Sequence, residues 1–286
     1  SDSIYGVGSI IDIKVTFSSS VTVSTTGGTP RLRLNVTPTA RYATYNAGSG
    51  SAELVFRYTV QATDTASDLD YHSTTALSAN GGSIKDSAGN NADLTLANPG
   101  DPGGLGATSA IVIDTTAPTL TFSSVSGGTP DTTLTPAILG TASEASDVTL
   151  YFDAACATAK SLLTVNTQFA SPGITVNANV SSNASTAIYG MAVDLAGNSS
   201  ACTFLVNYVH DSASPVVTGV SSSKADGTYS TGEVIAIQVS FNESVIVAGT
   251  PTLALNSGAT VNYASGSGSA TLTFNYAVGA SDSSAD

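Results

Sequence analysis

An all-β protein made of antiparallel β-sandwich modules is the fold class this sequence predicts, and three observations predict it. The first is residue choice. Among 286 residues there are 27 Gly, no Trp, one Met and only 8 Phe, and charged residues make up 10 % of the chain, against about 25 % in an ordinary soluble domain. Acids outnumber bases 21 to 8, for a net charge of -13, and the acids divide into 17 Asp and 4 Glu. Asp, Asn, Gly, Ser and Thr belong to turns, whereas helix surfaces use Glu, Lys and Arg. The second observation is period: apolar and polar residues alternate along run after run, which places one face of a sheet on a core and the other in solvent. The third is spacing, because turn clusters recur every 8–12 residues or so, as in a sandwich. No helix is expected anywhere.

The runs can be justified in chain order. Ile11, Ile13, Val15 and Phe17 alternate with Asp12, Lys14 and Thr16, and Leu54, Phe56, Tyr58 and Val60 form a second such strand. Both return later. Residues 4–23 (IYGVGSIIDIKVTFSSSVTV) align with 228–247 (TYSTGEVIAIQVSFNESVIV), Gly28-Thr29-Pro30 with Gly249-Thr250-Pro251, Gly48 to Ala52 with Gly266 to Ala270, and LVFRYTV (54–60) with LTFNYAV (272–278). Asp64 and Asp68 then match Asp282 and Asp286. The middle of the chain differs. Strands are expected there near 119–124, 134–141, 148–152, 161–169, 174–180, 187–193 and 201–209, running up and down. Two Pro-containing joints, Ile113-Asp114-Thr115-Thr116-Ala117-Pro118 and His210-Asp211-Ser212-Ala213-Ser214-Pro215, divide the chain, since proline ends ladder pairing. The expected modules are therefore 1–114, 115–211 and 212–286. The first lacks a counterpart of VVTGVSSS (216–223) and the third stops where the first is half complete, as in a segment of a longer tandem array.

The order Tyr-x-x-Gly, Ile-x-Val-x-Phe, Gly-Thr-Pro, Tyr-x-x-Gly-Ser-Gly, Leu-x-Phe-x-Tyr-x-Val in the first and third modules resembles the repeat of giant bacterial surface proteins, the swimming-associated surface-protein repeat among them. In the first module the resemblance continues through Ser67 to Tyr71, Gly82 to Asn90 and Ile111 to Pro118. The middle module, with Asp194-Leu195-Ala196-Gly197-Asn198 and its flanking Asp-x-x-x-Pro joints, is similar to bacterial Ig-like domains of large adhesins. The resemblance implies Ig-like or cadherin-like sandwiches in a rod, extracellular or on the bacterial cell surface, often with Ca²⁺ bound. The acid that usually follows the Ile-x-Val-x-Phe strand is Glu243 in the third module but Ser19 in the first.

Loop parity places acids at the joints. If each strand reverses direction, alternate loops share a pole. Asp64, Asp68 and Asp70 then lie at the exit pole of the first module, beside Asp114 of the linker and beside Glu144, Asp147, Asp194 and Asn198 in two turns of the second. Ca²⁺ takes 6–8 or so oxygen ligands, mostly carboxylates and carbonyls, and the few Lys and Arg leave these acids without neutralising partners. A structural Ca²⁺ at this joint, and a second at Asp211 and Glu243, is the expectation. The alternative is that these residues make Asx-turns and hairpins, for which Asp-x-Ala-Gly-Asn is well suited.

Cys156 and Cys202, 46 positions apart, are expected to form a disulfide, with buried thiols as the alternative; the bridge requires the chain after Asp153 to fold back. Two cysteines and two distant histidines give no zinc spacing. His72, near Asp70 and Ser73, reads as a surface loop residue and not as a triad member, and His210 as a linker residue. Lys14 points outward and its repeat counterpart is Gln238, which argues against an internal isopeptide crosslink. Residues 98–106 (NPGDPGGLG) lack the Lys and the following helix of a phosphate loop. No acid/base pair or nucleophile constellation is present, so an enzyme is not expected. The acidic balance excludes nucleic acid, whose phosphates need a basic face, and no apolar run approaches the ~18–20 residues of a membrane span. No leader peptide is read at Ser1-Asp2-Ser3. The expected role is a non-catalytic stalk or spacer of an exported surface protein, its partners being neighbouring modules. The alternatives are a self-assembling filament subunit completed by another copy, and a glycan-binding module using Tyr42, Tyr45 and Tyr263.

Overall fold

The alternation of Ile11 to Phe17 is the start of one long strand. The computed structural model describes residues 3–284, and its elements are almost all strands. In the first part of the chain these are β1 (Ser3–Tyr5), β2 (Ile10–Ser24), β3 (Arg31–Leu34), β4 (Arg41–Ala47), β5 (Ser51–Thr59), β6 (Leu77–Ser78), β7 (Ser83–Lys85), the one-turn helix α1 (Leu105–Thr108) and β8 (Ile111–Ile113). Six form a sheet in the order β6-β3-β4-β5-β2-β7, and β1 pairs with β8 in parallel. Ile11 and Ile13 point inward, while Asp12 and Lys14 point outward to ion-pair with Arg57 and Glu53 on β5, at 2.7 and 3.0 Å. The β2–β5 register shifts between Thr16 and Val21, a bulge that bends the long strand. Residues 60–113 supply the edge strands β6 and β7 and the segments that cover the sheet, and their Leu69, Tyr71, Leu77, Ile84, Ile111 and Ile113 share one core with Leu32, Leu54 and Phe56.

The middle of the chain holds β9 (Leu120–Val125), β10 (Ala137–Ala142), β11 (Ser146–Tyr151), β12 (Thr164–Val165), the short helix α2 (Asn166–Ala170), β13 (Ile174–Thr175), β14 (Ala184–Asp194) and β15 (Thr203–His210). Two antiparallel sheets, β13-β10-β9 and β12-β11-β14-β15, share one apolar core through Ile138, Ile174, Leu150, Ile188 and Tyr208. The up-and-down order is corrected here: β11 pairs with β14, far along the chain, and not with β10. The expected strand over 161–169 is mostly loop and α2, because Phe169 must turn in to become fully buried. Gly140 makes room for that ring, since a Cβ there would collide with it. The expected strand over 174–180 is reduced to Ile174–Thr175.

Cys156 and Cys202 form a disulfide, with Cα atoms 5.8 Å apart. The chain does fold back after Asp153, whose carboxylate accepts from the amides of Ala155 and Ala157 at 3.2 and 2.9 Å. His210 is a buried strand residue and not an exposed linker; its Nδ1 accepts from the Asn183 amide at 2.9 Å. His72 is exposed.

The chain divides into two compact units between Asp211 and Ser212. The second unit contains β16 (Val217–Ser222), β17 (Val234–Val245), β18 (Thr252–Ala254), β19 (Thr260–Ser265) and β20 (Ser269–Ala277), in the order β16-β17-β20-β19-β18. β17, β20, β19 and β18 repeat β2, β5, β4 and β3. The bulge recurs between Ser240 and Val245, and the edge-to-face pair Tyr45–Phe56 recurs as Tyr263–Phe274, both with centroids 6.2 Å apart. Asp286, the counterpart of Asp68, lies outside the described residues.

Candidate metal centre

Three of the predicted acids meet. Carboxylate oxygens of Asp114, Glu144 and Asp194 lie within 4.8 Å of one another. Each comes from a different piece of chain. Asp114 directly follows β8, the last strand of the first core; Glu144 sits in the turn between β10 and β11; Asp194 ends β14. The group therefore lies where the first apolar core hands over to the second, inside the first unit.

Local sequence explains each placement. Asp194-Leu195-Ala196-Gly197-Asn198 is an Asx-turned hairpin: Asp194 Oδ1 accepts from the amides of Ala196 and Asn198 at 2.8 and 2.9 Å, and Gly197 takes a φ of 86°. Asp114 is fixed by its own amide, which donates to the Tyr5 carbonyl at 3.1 Å, and by the Thr116 amide, which donates to its Oδ1 at 2.9 Å. The Thr119 amide donates to Ser143 Oγ at 2.9 Å, which holds the turn carrying Glu144 against the linker. Gly6 packs on the Ala196 carbonyl where a Cβ would not fit.

Asn198 holds this arrangement together through its side-chain amide. Its Nδ2 donates to the Asp114 carbonyl at 3.0 Å and to Asp194 Oδ2 at 2.8 Å, tying the residue after β8 directly to the hairpin after β14. Burial, then the charges of Asp114 and Asp194, together with a hydrogen bond shared with Asp114, push the Glu144 carboxyl above the usual carboxylate range. Two like charges at this separation repel by about 3 kcal/mol at an effective dielectric near 20. These three carboxylates could hold a hard divalent cation, and with water completing the shell they are a donor set that Ca²⁺ accepts.

The other predicted ligands stand elsewhere. Asp64 is fully buried, but it accepts from Arg41 Nε at 2.7 Å, from the Gln61 amide at 2.9 Å and from the Tyr58 hydroxyl, so it is ion-paired within the first core. The expectation that these acids lack basic partners fails at this residue. Asp70 is also buried; it accepts from the Tyr71 and Gly100 amides at 2.7 and 2.9 Å and pins the Gly-rich loop. Asp68 is exposed, in a groove that leads past Ala66 and Ile113 to Asp114. Asp147 lies on β11 rather than in the preceding turn, opposite Val193. Asp211 closes the first unit, its amide donating to the Asp131 carbonyl at 3.0 Å, and Glu243 lies on β17 in the second unit. The sequence did carry a sign of Asp64's structural role. The pair Tyr58/Asp64 recurs at the same spacing as Tyr276/Asp282, where the hydroxyl again donates to the carboxylate, at 2.7 Å.

The candidate glycan-stacking tyrosines are engaged within the protein. Arg31 lies 4.2 Å over the Tyr42 ring, and the Tyr45 and Tyr263 hydroxyls accept from the Ser49 and Ser267 amides. No helix among the described residues is long and apolar enough to cross a membrane. Comparison with protein-family models, with curated proteins and with solved structures found no match to this chain.

Proposed function

We propose that this chain is a non-catalytic structural segment, a stalk or spacer of a large exported bacterial surface protein or adhesin, built of Ig-like modules in series and stiffened by Ca²⁺ where the first module meets the second. The observation that carries this reading is the convergence of Asp114, Glu144 and Asp194. A cation held by all three would join the last strand of the first core to two turns of the second. Bending at that junction would then require breaking coordination as well as the Asn198 hydrogen bonds. The tandem repeat, the extensive antiparallel pairing and the Cys156–Cys202 disulfide suit an extracellular segment whose work is mechanical. The sparse charge and the Ser/Thr-rich outer faces keep such sheets soluble without offering a catalytic constellation.

A calcium titration of thermal unfolding tests the reading. At Ca²⁺ a hundredfold above its dissociation constant, linkage stabilises the folded state by about 2.7 kcal/mol, so the melting temperature of the first unit rises by several degrees and falls back with chelator. The triple variant Asp114→Asn, Glu144→Gln, Asp194→Asn abolishes the response. A melting temperature indifferent to calcium and chelator refutes the cation, and with it the stiffened joint.

A further inference from the structure

The second unit has a strand with no counterpart among the described residues of the first. In the second unit β16 pairs antiparallel with β17, Val220 opposite Val239 and Val217 opposite Phe241. The equivalent stretch of β2 is Ile13–Phe17. Among the described residues, its edge away from β5 pairs with nothing until β7 begins at Thr22. That free edge faces a groove of about 310 Å³ whose far wall is formed by Thr95 to Ala97 and by Leu105 and Thr108 of α1. The groove is lined by inward Ile13 and Val15 and by outward Lys14 and Thr16 alike, so it follows the backbone edge, and it reaches inward to Leu32 and Tyr71. A second groove continues it along Phe17 to Val21.

Burial points the same way. Ile235, Ile237, Leu253 and Leu255 are all more exposed than their buried counterparts Ile11, Ile13, Leu32 and Leu34. Val239 reverses the trend: it is buried, whereas Val15 is only half-buried, and Gln238 and Ser240 are likewise better covered than Lys14 and Thr16. These are the positions that β16 flanks. The apolar surfaces left over are complementary. Val217 and Val220 are 52 % and 62 % exposed on β16, while the first unit offers half-buried Leu96 and Leu105 beside its open edge.

We propose that the groove between β2 and residues 95–108 is an acceptor site for one more β-strand, a copy of the repeat's opening strand of the Val-x-x-Val-x-Ser type. It would run antiparallel to β2, with its second valine opposite Val15 and its first opposite Phe17. Main-chain hydrogen bonds supply the affinity and the two valines, packed toward Leu96 and Leu105, supply the register. This acceptor edge depends on the repeat and not on the cation.

The test replaces residues 1 and 2 by a copy of residues 214–226, which reproduces the spacing between β16 and β17, and follows amide exchange of the full chain by mass spectrometry. The expected result is at least tenfold slower exchange at the edge-facing amides of Ile13–Phe17, with a higher melting temperature for the first unit. In a control the two valines of the added strand are changed to Asp, which removes the protection while leaving the chain folded. Exchange at Ile13–Phe17 unchanged by the addition, or slowed equally by the Asp-bearing control, overturns the proposal. Calcium and chelator leave this readout unaltered, so its failure and that of the metal centre are separately visible.

Discussion

The two copies of the repeat have the same sheet and different surroundings. In the first, β2, β3, β4 and β5 lie under residues 60–113, and Leu32, Leu34, Leu54 and Phe56 are at most 1 % exposed. In the second, β17 to β20 keep the pairing, the bulge and the Tyr–Phe edge contact, and Leu272 and Phe274 are buried, yet Leu253 and Leu255 stay half-buried. Strand identity and register are thus local properties of this repeat, set by alternation and by turn residues. Gly48 and Gly266 both take positive φ at the same hairpin corner, where a Cβ would strike the facing backbone. Burial is the property that is not local, because it depends on the covering segment.

The largest effect that would break this comparison is in the cores. Ile13→Ala in the first copy should destabilise its unit by about 3 kcal/mol, within the range for a buried isoleucine truncation. Ile237→Ala, at the half-buried equivalent, should be nearer 1 kcal/mol. Denaturant unfolding of each unit, followed by amide exchange, measures both. Equal losses would mean that the covering segment adds nothing to the packing of the sheet.

A second contrast lies at the Tyr–Asp corner. In the first copy Arg41 adds an ion pair to the Tyr58–Asp64 hydrogen bond; in the second, Ala259 stands at the position of Arg41. Asp64→Asn should therefore destabilise by about 2–3 kcal/mol, because it leaves the partly buried guanidinium without its partner. Asp282→Asn should cost less. The difference should shrink in an Arg41→Ala background, and a double-mutant cycle reads it directly.

Much of this was legible in the sequence, and the reasons for the rest are physical. Period two found β2 and β5, since each has one face on a core, whereas the alternation of Cys202, Phe204, Val206 and Tyr208 misled in β15, where Phe204 is exposed and Leu205 is buried. Of the two Pro-containing joints, the one at Asp211 lies where the two compact units divide, and the one at Asp114 lies inside the first unit. Parity brought Asp114, Glu144 and Asp194 to one pole, although the assumed strand order was wrong. Turn parity survives an exchange of partners between two sheets as long as the chain still reverses at each turn. What failed were residues whose role is decided by a distant partner. Phe169 looks like part of a strand until Gly140 opens a hole for it. His210 looks like linker until the Asn183 amide meets its ring. Asp64 looks like a ligand until Arg41, 23 positions earlier, is found against it.

The smallest effect is the sharpest, because its sign separates two uses of one turn. Asp86 to Asn90 and Asp194 to Asn198 are the same Asp-x-Ala-Gly-Asn hairpin, with matching bonds from the Asn side chain to the Asp carboxylate at 2.9 and 2.8 Å. Only the second is approached by Asp114 and Glu144. Hydrogen bonds from Asn90, side chain and backbone, hold the Asp86 carboxyl below its ordinary range. Stability from Asp86 is therefore present above the ordinary carboxylate pKa and is lost as pH falls through the depressed value. Glu144 is shifted the other way by burial and by its two acidic neighbours. The native state holds its proton more tightly than the unfolded chain, so stability from Glu144 is full below the ordinary range and is lost as pH rises through the raised value. In chelator, Glu144→Gln should then stabilise the first unit near neutral pH, by roughly 1 kcal/mol after solvent and salt screening. The variant should also be flat in pH where the parent chain gains stability on mild acidification. With Ca²⁺ present the order reverses and the parent chain becomes the more stable, because the cation uses the charge that the variant lacks. Thermal melts of both proteins between pH 5 and 8 or so, with and without Ca²⁺, decide it. A variant that is destabilised in chelator, or that keeps the calcium response, would return Glu144 to the status of Asp86, a turn-region acid with no further role.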